Sequence, residues 1–370
     1  MRELRSWFQV IFFFFRYVGY RLRIAKRPTF EQNFQPPMDV IGRILGWRKY
    51  LHVRGGENLP LDHPAIICGN HFKFDDPFCL FASIYIASNG TVSPRALQRD
   101  DFFSSVWWKP VKNRFLDVDE CITGYGTYGI NRANPTLKQL KVFLGFLDEG
   151  LSFMMYPGRT RSRSGVFMEF RGEIKEPGGV SFFLHQTQRR NPKANVSAVP
   201  VARSYNLVTN RTAMVIGPER RLAPNADKQE QRAFDLDLVV AMASQVELNM
   251  AHVLGAILYL RCLHGRTEAV TVESLRSAVG SVFEETTHAY VDPQDTEDMG
   301  ASIDRTLAFL GRRGMLVRRG EMVSPDVAAI LFAPPLDSTY VKRNPVKYLT
   351  NQIMHLGDVV ELIEDAARSF

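Results

Sequence analysis

The chain has 370 residues, 45% apolar and 23% charged, which allows two or three domains and excludes intrinsic disorder. Its 26 glycines and 20 prolines exclude a collagen-like or low-complexity chain, and its four cysteines, widely spaced and without a C-x-x-C pair, argue against a zinc cluster or disulfide framework and for a reducing compartment. The net charge of +7 is terminal: residues 1–27 hold seven basic side chains and one acid, Glu3, hence +6, so a nucleic-acid-binding face spread over the body is not expected.

The first segment, Trp7–Tyr20, reads WFQVIFFFFRYVGY. Its unbroken apolar run, Val10–Phe15, is far short of the ~20 residues that span a bilayer, and Arg16 interrupts it. No A-x-A-like site follows, which weakens the alternative of a cleaved signal. Arg2, Arg5, Gln9, Arg16, Arg23 and Arg27 fall on one helical stripe, with phenylalanines around the rest. This pattern predicts a helix lying in a membrane interface at the cytoplasmic face without crossing it. The competing arrangement packs the Phe face on the protein itself. Val40–Trp47 is a second amphipathic stretch, and residues 1–48 form the first expected unit.

From 49 to 222 strand and helix signals alternate. Tyr50–Arg54, Ala65–Cys68, Leu151–Tyr156, Val196–Arg203 and Met214–Gly217 read as strands. Pro77–Ala87, a helix capped by Asn134 and stopping at Gly150, and Gly178–Gln188 read as helices. The alternation predicts an α/β domain with a mainly parallel sheet flanked by helices. Residues 223–370 read as a mainly helical domain: Gln229–Leu263, Val272–Glu285, Asp295–Arg312 and Pro345–Leu356, with a hairpin turning at Arg318-Arg319-Gly320.

The strongest site signal is Asn70-His71-Phe72-Lys73-Phe74-Asp75-Asp76-Pro77. His71 follows a strand, where α/β proteins place their sites. A carboxylate five residues on fixes an imidazole's tautomer and raises its basicity, so the pair can deprotonate a bound hydroxyl. The bland alternative makes Asp76 a helix cap and His71 a loop residue. No G-x-S-x-G elbow is present, so His71 would act on the substrate directly. Gly124–Gly129 spells G-x-G-x-x-G, but a strand-like step follows it rather than a helix, so it is read as a turn. Metal-site and Walker-type motifs are absent, and no metal or cofactor is expected.

Four blocks in order resemble the glycerolipid acyltransferase family: Val53–Pro60 with Pro64–His71 and Asp76-Pro77; Gly126–Arg132; Tyr156–Gly165; and Val199-Pro200-Val201. The resemblance covers about residues 50–222. The run Arg161-Ser-Arg-Ser-Gly165 and the long C-terminal region place it nearer the glycerol-3-phosphate acyltransferase branch. It implies transfer of a fatty acyl group from a thioester of coenzyme A or acyl carrier protein, a co-substrate, to a phosphorylated glycerol in phospholipid biosynthesis. It makes His71 the general base and Asp76 its orienting carboxylate. Arg132, Thr160, Arg161 and Arg163 would bind the acceptor, since a planar guanidinium forks onto phosphate oxygens. Lysophosphatidate and dihydroxyacetone phosphate are the alternative acceptors.

The chain departs from the family at Gly158 and Arg159, where members usually carry Glu and Gly, and at Phe72 and Lys73 between the His and the Asp. The lost carboxylate motivates a rival reading, a catalytically weakened membrane scaffold on the same fold. A second rival concerns the C-terminal region, whose helices and basic hairpin resemble a winged-helix module; Arg312, Arg313, Arg318 and Arg319 suit a membrane face or solvent better than nucleic acid.

Overall fold

The structure is a computed structural model that describes residues 2–27, 47–99, 117, 120, 123, 126–131, 135–158, 160–169, 176–335 and 338–370. Arg132, Asn134 and residues 40–46 of the second amphipathic stretch lie outside the described residues. Seven strands form the central sheet: β1 (Leu51–Arg54), β2 (Ala65–Gly69), β3 (Arg95–Arg99), β4 (Thr127–Ile130), β5 (Phe153–Met155), β6 (Ser197–Tyr205) and β7 (Thr212–Ile216). Their order is β1-β7-β6-β2-β5-β3-β4. The β6–β7 hairpin is antiparallel and the other pairings are parallel. The fold is thus α/β with a mainly parallel sheet, as the alternation predicted.

Strand β2 is buried along its whole length. Ala65 and Ile67 join the apolar cluster on one face, Ile66 and Cys68 the cluster on the other. That two-sided burial is why the strand is an unbroken apolar run rather than an alternating one. The Asp76–Ala87 helix covers the first face with Leu80, Phe81 and Ile84. The Leu137–Asp148, Val180–Arg190 and Lys228–Ala243 helices cover the second, with Phe143, Leu184 and Leu238 in its core.

Several helix boundaries differ from expectation: Asp295–Arg312 is broken at Asp298 into Pro293–Glu297 and Met299–Arg312, and the helix from Pro345 ends at Asn351. The Leu137–Asp148 helix is capped by Thr136, whose hydroxyl accepts from the Gln139 N–H while the Gln139 side chain accepts from the Thr136 N–H. The stretch Gln229–Leu263 is two helices, Lys228–Ala243 and Met250–Leu263. The second restarts at Asn249, whose side chain accepts from the His252 N–H at 3.1 Å.

The Met250–Leu263 helix is the buried axis of a further core. Helices Val272–Glu285, Met299–Arg312, Pro345–Asn351 and Gly357–Arg368 pack around it. The expected hairpin forms between β9 (Leu316–Arg319) and β10 (Met322–Pro325), and β8 (Val270–Thr271) adds a third antiparallel strand.

The N-terminal helix runs from Arg2 to Arg21. Phe8, Ile11, Phe12 and Phe15 share one face at spacings of three, one and three, and they are 63%, 48%, 63% and 67% exposed. The helix end docks on the protein: the buried Tyr17 hydroxyl donates to the Asp117 carbonyl at 3.0 Å, and Arg21 pairs with Glu120 at 2.8 Å. Among the described residues no helix is long and apolar enough to cross a membrane.

Candidate active site

β2 ends at Gly69, and the chain turns at Asn70. Asn70 is locked to β6 from both ends of its carboxamide: its Nδ2 donates to the Arg203 carbonyl at 2.9 Å and its Oδ1 accepts from the Arg203 N–H at 2.7 Å. His71 therefore leaves the carboxyl edge of the sheet from a fixed point, the location at which parallel sheets hold ligands.

His71 Nδ1 lies 2.6 Å from Asp76 Oδ2. A carboxylate only accepts, so Nδ1 carries the proton and Nε2 is left as the basic nitrogen. The same Asp76 oxygen accepts from the Phe72 N–H at 2.5 Å and the Lys73 N–H at 2.6 Å. Asp76 is thus not the cap of its helix. Asp75 holds the cap position, and Asp76 is turned back over the His71 loop. The imidazole is further fixed by stacking on Tyr156, with centroids 4.7 Å apart and planes at 27°. His71 keeps 17% of its side chain exposed, whereas Asp76 keeps 2%.

The other Asp76 oxygen is bound by Arg203, and the same guanidinium forks onto Asp75 at 3.0 and 3.2 Å. Arg203 is 2% exposed in its side chain. Burial alone would lower its pKa, but the flanking carboxylates, Asp76 foremost, hold it above the ordinary value. Lys73 stands 3.3 Å over the Tyr205 ring, and burial pulls its pKa down.

The loop after β5 closes on this pair. The Ser162 N–H donates to the His71 carbonyl at 2.7 Å, and the Thr160 N–H to the Gly158 carbonyl at 2.7 Å. Thr160, Arg161 and Arg163 are half-buried in this loop, which Ser162 ties to the His71 backbone. Arg132 falls outside the described residues, so the structure does not place it.

A side chain at position 158 would require Met168 to shift: a Cβ there would sit 2.6 Å from Met168 Cγ. The loop nonetheless holds a carboxylate. Glu169 Oε1 accepts from the Arg163 N–H at 2.9 Å, the Ser164 N–H at 2.7 Å and the Ser164 hydroxyl at 2.5 Å. From the other side the C-terminal region supports it. Tyr340 N–H donates to the Arg163 carbonyl at 3.0 Å and Asn351 Nδ2 to the Ser164 carbonyl at 2.9 Å. Gly165, at φ +91°, lies against Tyr348, with no space for a Cβ. Burial, and after it Asp76, pushes the Tyr348 phenol up. Sequence reasoning missed Arg203, Glu169 and Tyr348. Arg203 alone left a trace, as a charge inside an apolar strand.

No family model matches the chain, and no curated protein matches it. Among solved structures, the 1-acyl-sn-glycerophosphate acyltransferase of Thermotoga maritima is similar at 19% identity, covering 65% of this chain and 95% of that one with a TM-score of 0.38.

Proposed function

We propose that this protein is a membrane-associated O-acyltransferase that moves a fatty acyl group from a coenzyme A or acyl-carrier-protein thioester to the hydroxyl of glycerol 3-phosphate. Lysophosphatidate and dihydroxyacetone phosphate present the same hydroxyl-and-phosphate chemistry. The observation that carries the reading is the 2.6 Å contact of His71 with Asp76, standing beside a loop of arginines tied to the His71 backbone. A buried carboxylate on Nδ1 leaves Nε2 free to take a proton, which is the arrangement a general base requires.

His71 Nε2 takes the hydroxyl proton as the acceptor oxygen attacks the thioester carbonyl carbon. The tetrahedral intermediate then expels the thiolate, which receives that proton from the imidazolium, giving ester and free thiol. Asp76 stabilises the imidazolium throughout and keeps its own charge. Arg161 and Arg163, with Thr160 and Arg132, bind the acceptor phosphate. The exposed face of Phe8, Ile11, Phe12 and Phe15 seats the N-terminal helix in the cytoplasmic leaflet, so that a long-chain product leaves into lipid. In this reading residues 1–48 attach, 49–222 catalyse and 223–370 brace the acceptor loop. The test is a radiolabelled acyl-transfer assay of the purified chain with each of the three acceptors and both thioester classes. Transfer to glycerol 3-phosphate that is lost in His71→Ala supports the assignment; no transfer to any acceptor overturns it.

A further inference from the structure

Asp76 has no oxygen to spare. Oδ2 takes the His71 imidazole and two backbone N–H groups, and Oδ1 takes Arg203. Arg203 also fixes the start of the His71 loop, since its own N–H and carbonyl clasp the Asn70 side chain. One residue of β6 therefore holds the base at both ends: through its backbone ahead of His71, and through its guanidinium behind Asp76. Its second carboxylate, Asp75, is 52% exposed and keeps the fork turned toward the site.

We propose that Arg203 is a positioning residue for the His71–Asp76 pair, holding the carboxylate on the imidazole and offsetting part of its charge. The inference rests on the acyltransferase reading. In acyl transfer one imidazole must first accept the hydroxyl proton and then return it to the leaving thiolate. A bare buried carboxylate would stabilise the imidazolium strongly and slow the return. A carboxylate shared with a guanidinium pulls less, so both proton steps run from one group.

Other charges around the pair do not perform this role. Lys73 is held over the Tyr205 ring, and Arg161 belongs to the acceptor loop. The Cys79 thiol is pushed up to about 11, chiefly by burial, and burial likewise raises the phenols of Tyr156, Tyr205 and Tyr348. These four groups are neutral near pH 7. That leaves Arg203, bound to the pair's carboxylate, and Asp75, bound to Arg203.

The experiment measures kcat, acceptor KM and the acidic limb of the pH–rate profile for the full chain and for Arg203→Met, Arg203→Lys and Asp75→Asn. Loss of the cation should move the limb of Arg203→Met upward by about one pH unit, the scale of one charge at close range in a partly screened site. Asp75→Asn, which removes an anion on a half-exposed side chain, should move it downward. In Arg203→Lys the charge stays and the fork is lost, so the limb stays near wild type while kcat falls. Acceptor KM should change less than twofold throughout. A role confined to folding would lower the yield of folded protein without opposite movements of the limb. Folded Arg203→Met with wild-type kcat and limb overturns the inference. Should Arg203→Met fail to fold, an unmoved limb in Asp75→Asn overturns it. A wild-type chain inactive on every acceptor removes the acyltransferase reading itself, and this inference with it.

Discussion

The backbone N–H of Ser162 donates to the carbonyl of His71 at 2.7 Å. His71 and the arginine loop are thereby one unit; in the acyltransferase reading, a phosphate held by the loop would bring its neighbouring hydroxyl to a fixed place beside the imidazole. Positioning of this kind converts binding into rate.

The first expectation concerns that loop. Arg161→Ala or Arg163→Ala should raise the acceptor KM about 10- to 150-fold, since a charged hydrogen-bond partner contributes ~1.5–3 kcal/mol. The donor KM should stay flat. Steady-state kinetics with both substrates varied checks this, and a rise confined to the donor would reverse the assignment of the pocket.

His71→Ala should lower kcat by about 10²–10⁴-fold, the usual contribution of a general base. Asp76→Asn should fall comparably, because the amide neither holds the Nδ1–H tautomer nor balances Arg203. Circular dichroism of both variants distinguishes lost chemistry from lost fold, and full activity in His71→Ala would sink the mechanism.

Much of the fold is legible in the sequence because the sheet is buried on both faces. β2 and β5 are apolar runs in the sequence and buried runs in the structure. β3, Arg-Ala-Leu-Gln-Arg, has no such run and becomes a strand through its pairing with β5 and β4. The break after Ala243 is equally tertiary: the Glu247 N–H donates to Ser204 on β6, and Leu248 bridges Val291. Within the site, His71 and Asp76 are readable because both lie on one turn of chain. Arg203, Glu169 and Tyr348 reach the site through contacts that no local spacing announces.

Gly158 bears on the scaffold alternative. Gly158→Glu, which restores the residue usual in the resembling family, should destabilise the chain by about 1–3 kcal/mol through overpacking against Met168. Met168→Ala in the same chain should recover part of that loss. Thermal unfolding of the single and double variants tests it; an unchanged Tm in Gly158→Glu would show that Met168 yields freely.

Glu247 makes stability depend on pH. It is 3% exposed, and burial, reinforced by Asp292, pushes its carboxyl up to about 7. Arg54 stands 3.3 Å from Oε2, yet that oxygen accepts no hydrogen bond. The unfolded carboxyl ionises near pH ~4.3. The folded chain therefore retains a proton that the unfolded chain has released, and stability falls as pH rises from about 4 to about 7. Glu247→Gln removes that loss. It should equal wild type near pH 4.5 and exceed it at pH 8, by on the order of 3 kcal/mol. Denaturant unfolding at the two values decides, and an equal offset at both would rule out the carboxyl as the cause.

The exposed face of Phe8, Ile11, Phe12 and Phe15 should attach the chain to one leaflet. The helix carries two independent signals, because residues 1–27 also hold +6 of the net charge. Each basic residue near an anionic surface contributes about 1 kcal/mol, and buried aromatic rings add an apolar share. High salt screens only the ionic share, so it should release the chain partly. Phe12→Glu with Phe15→Glu leaves the docked Tyr17 and Arg21 in place and places two charges in the apolar face. That double variant should float with anionic liposomes markedly less than wild type, and neutral liposomes should retain less wild type than anionic ones. Deleting residues 1–27 should shift the chain further toward the soluble fraction. Equal flotation of all three forms on anionic liposomes would place the attachment elsewhere in the molecule.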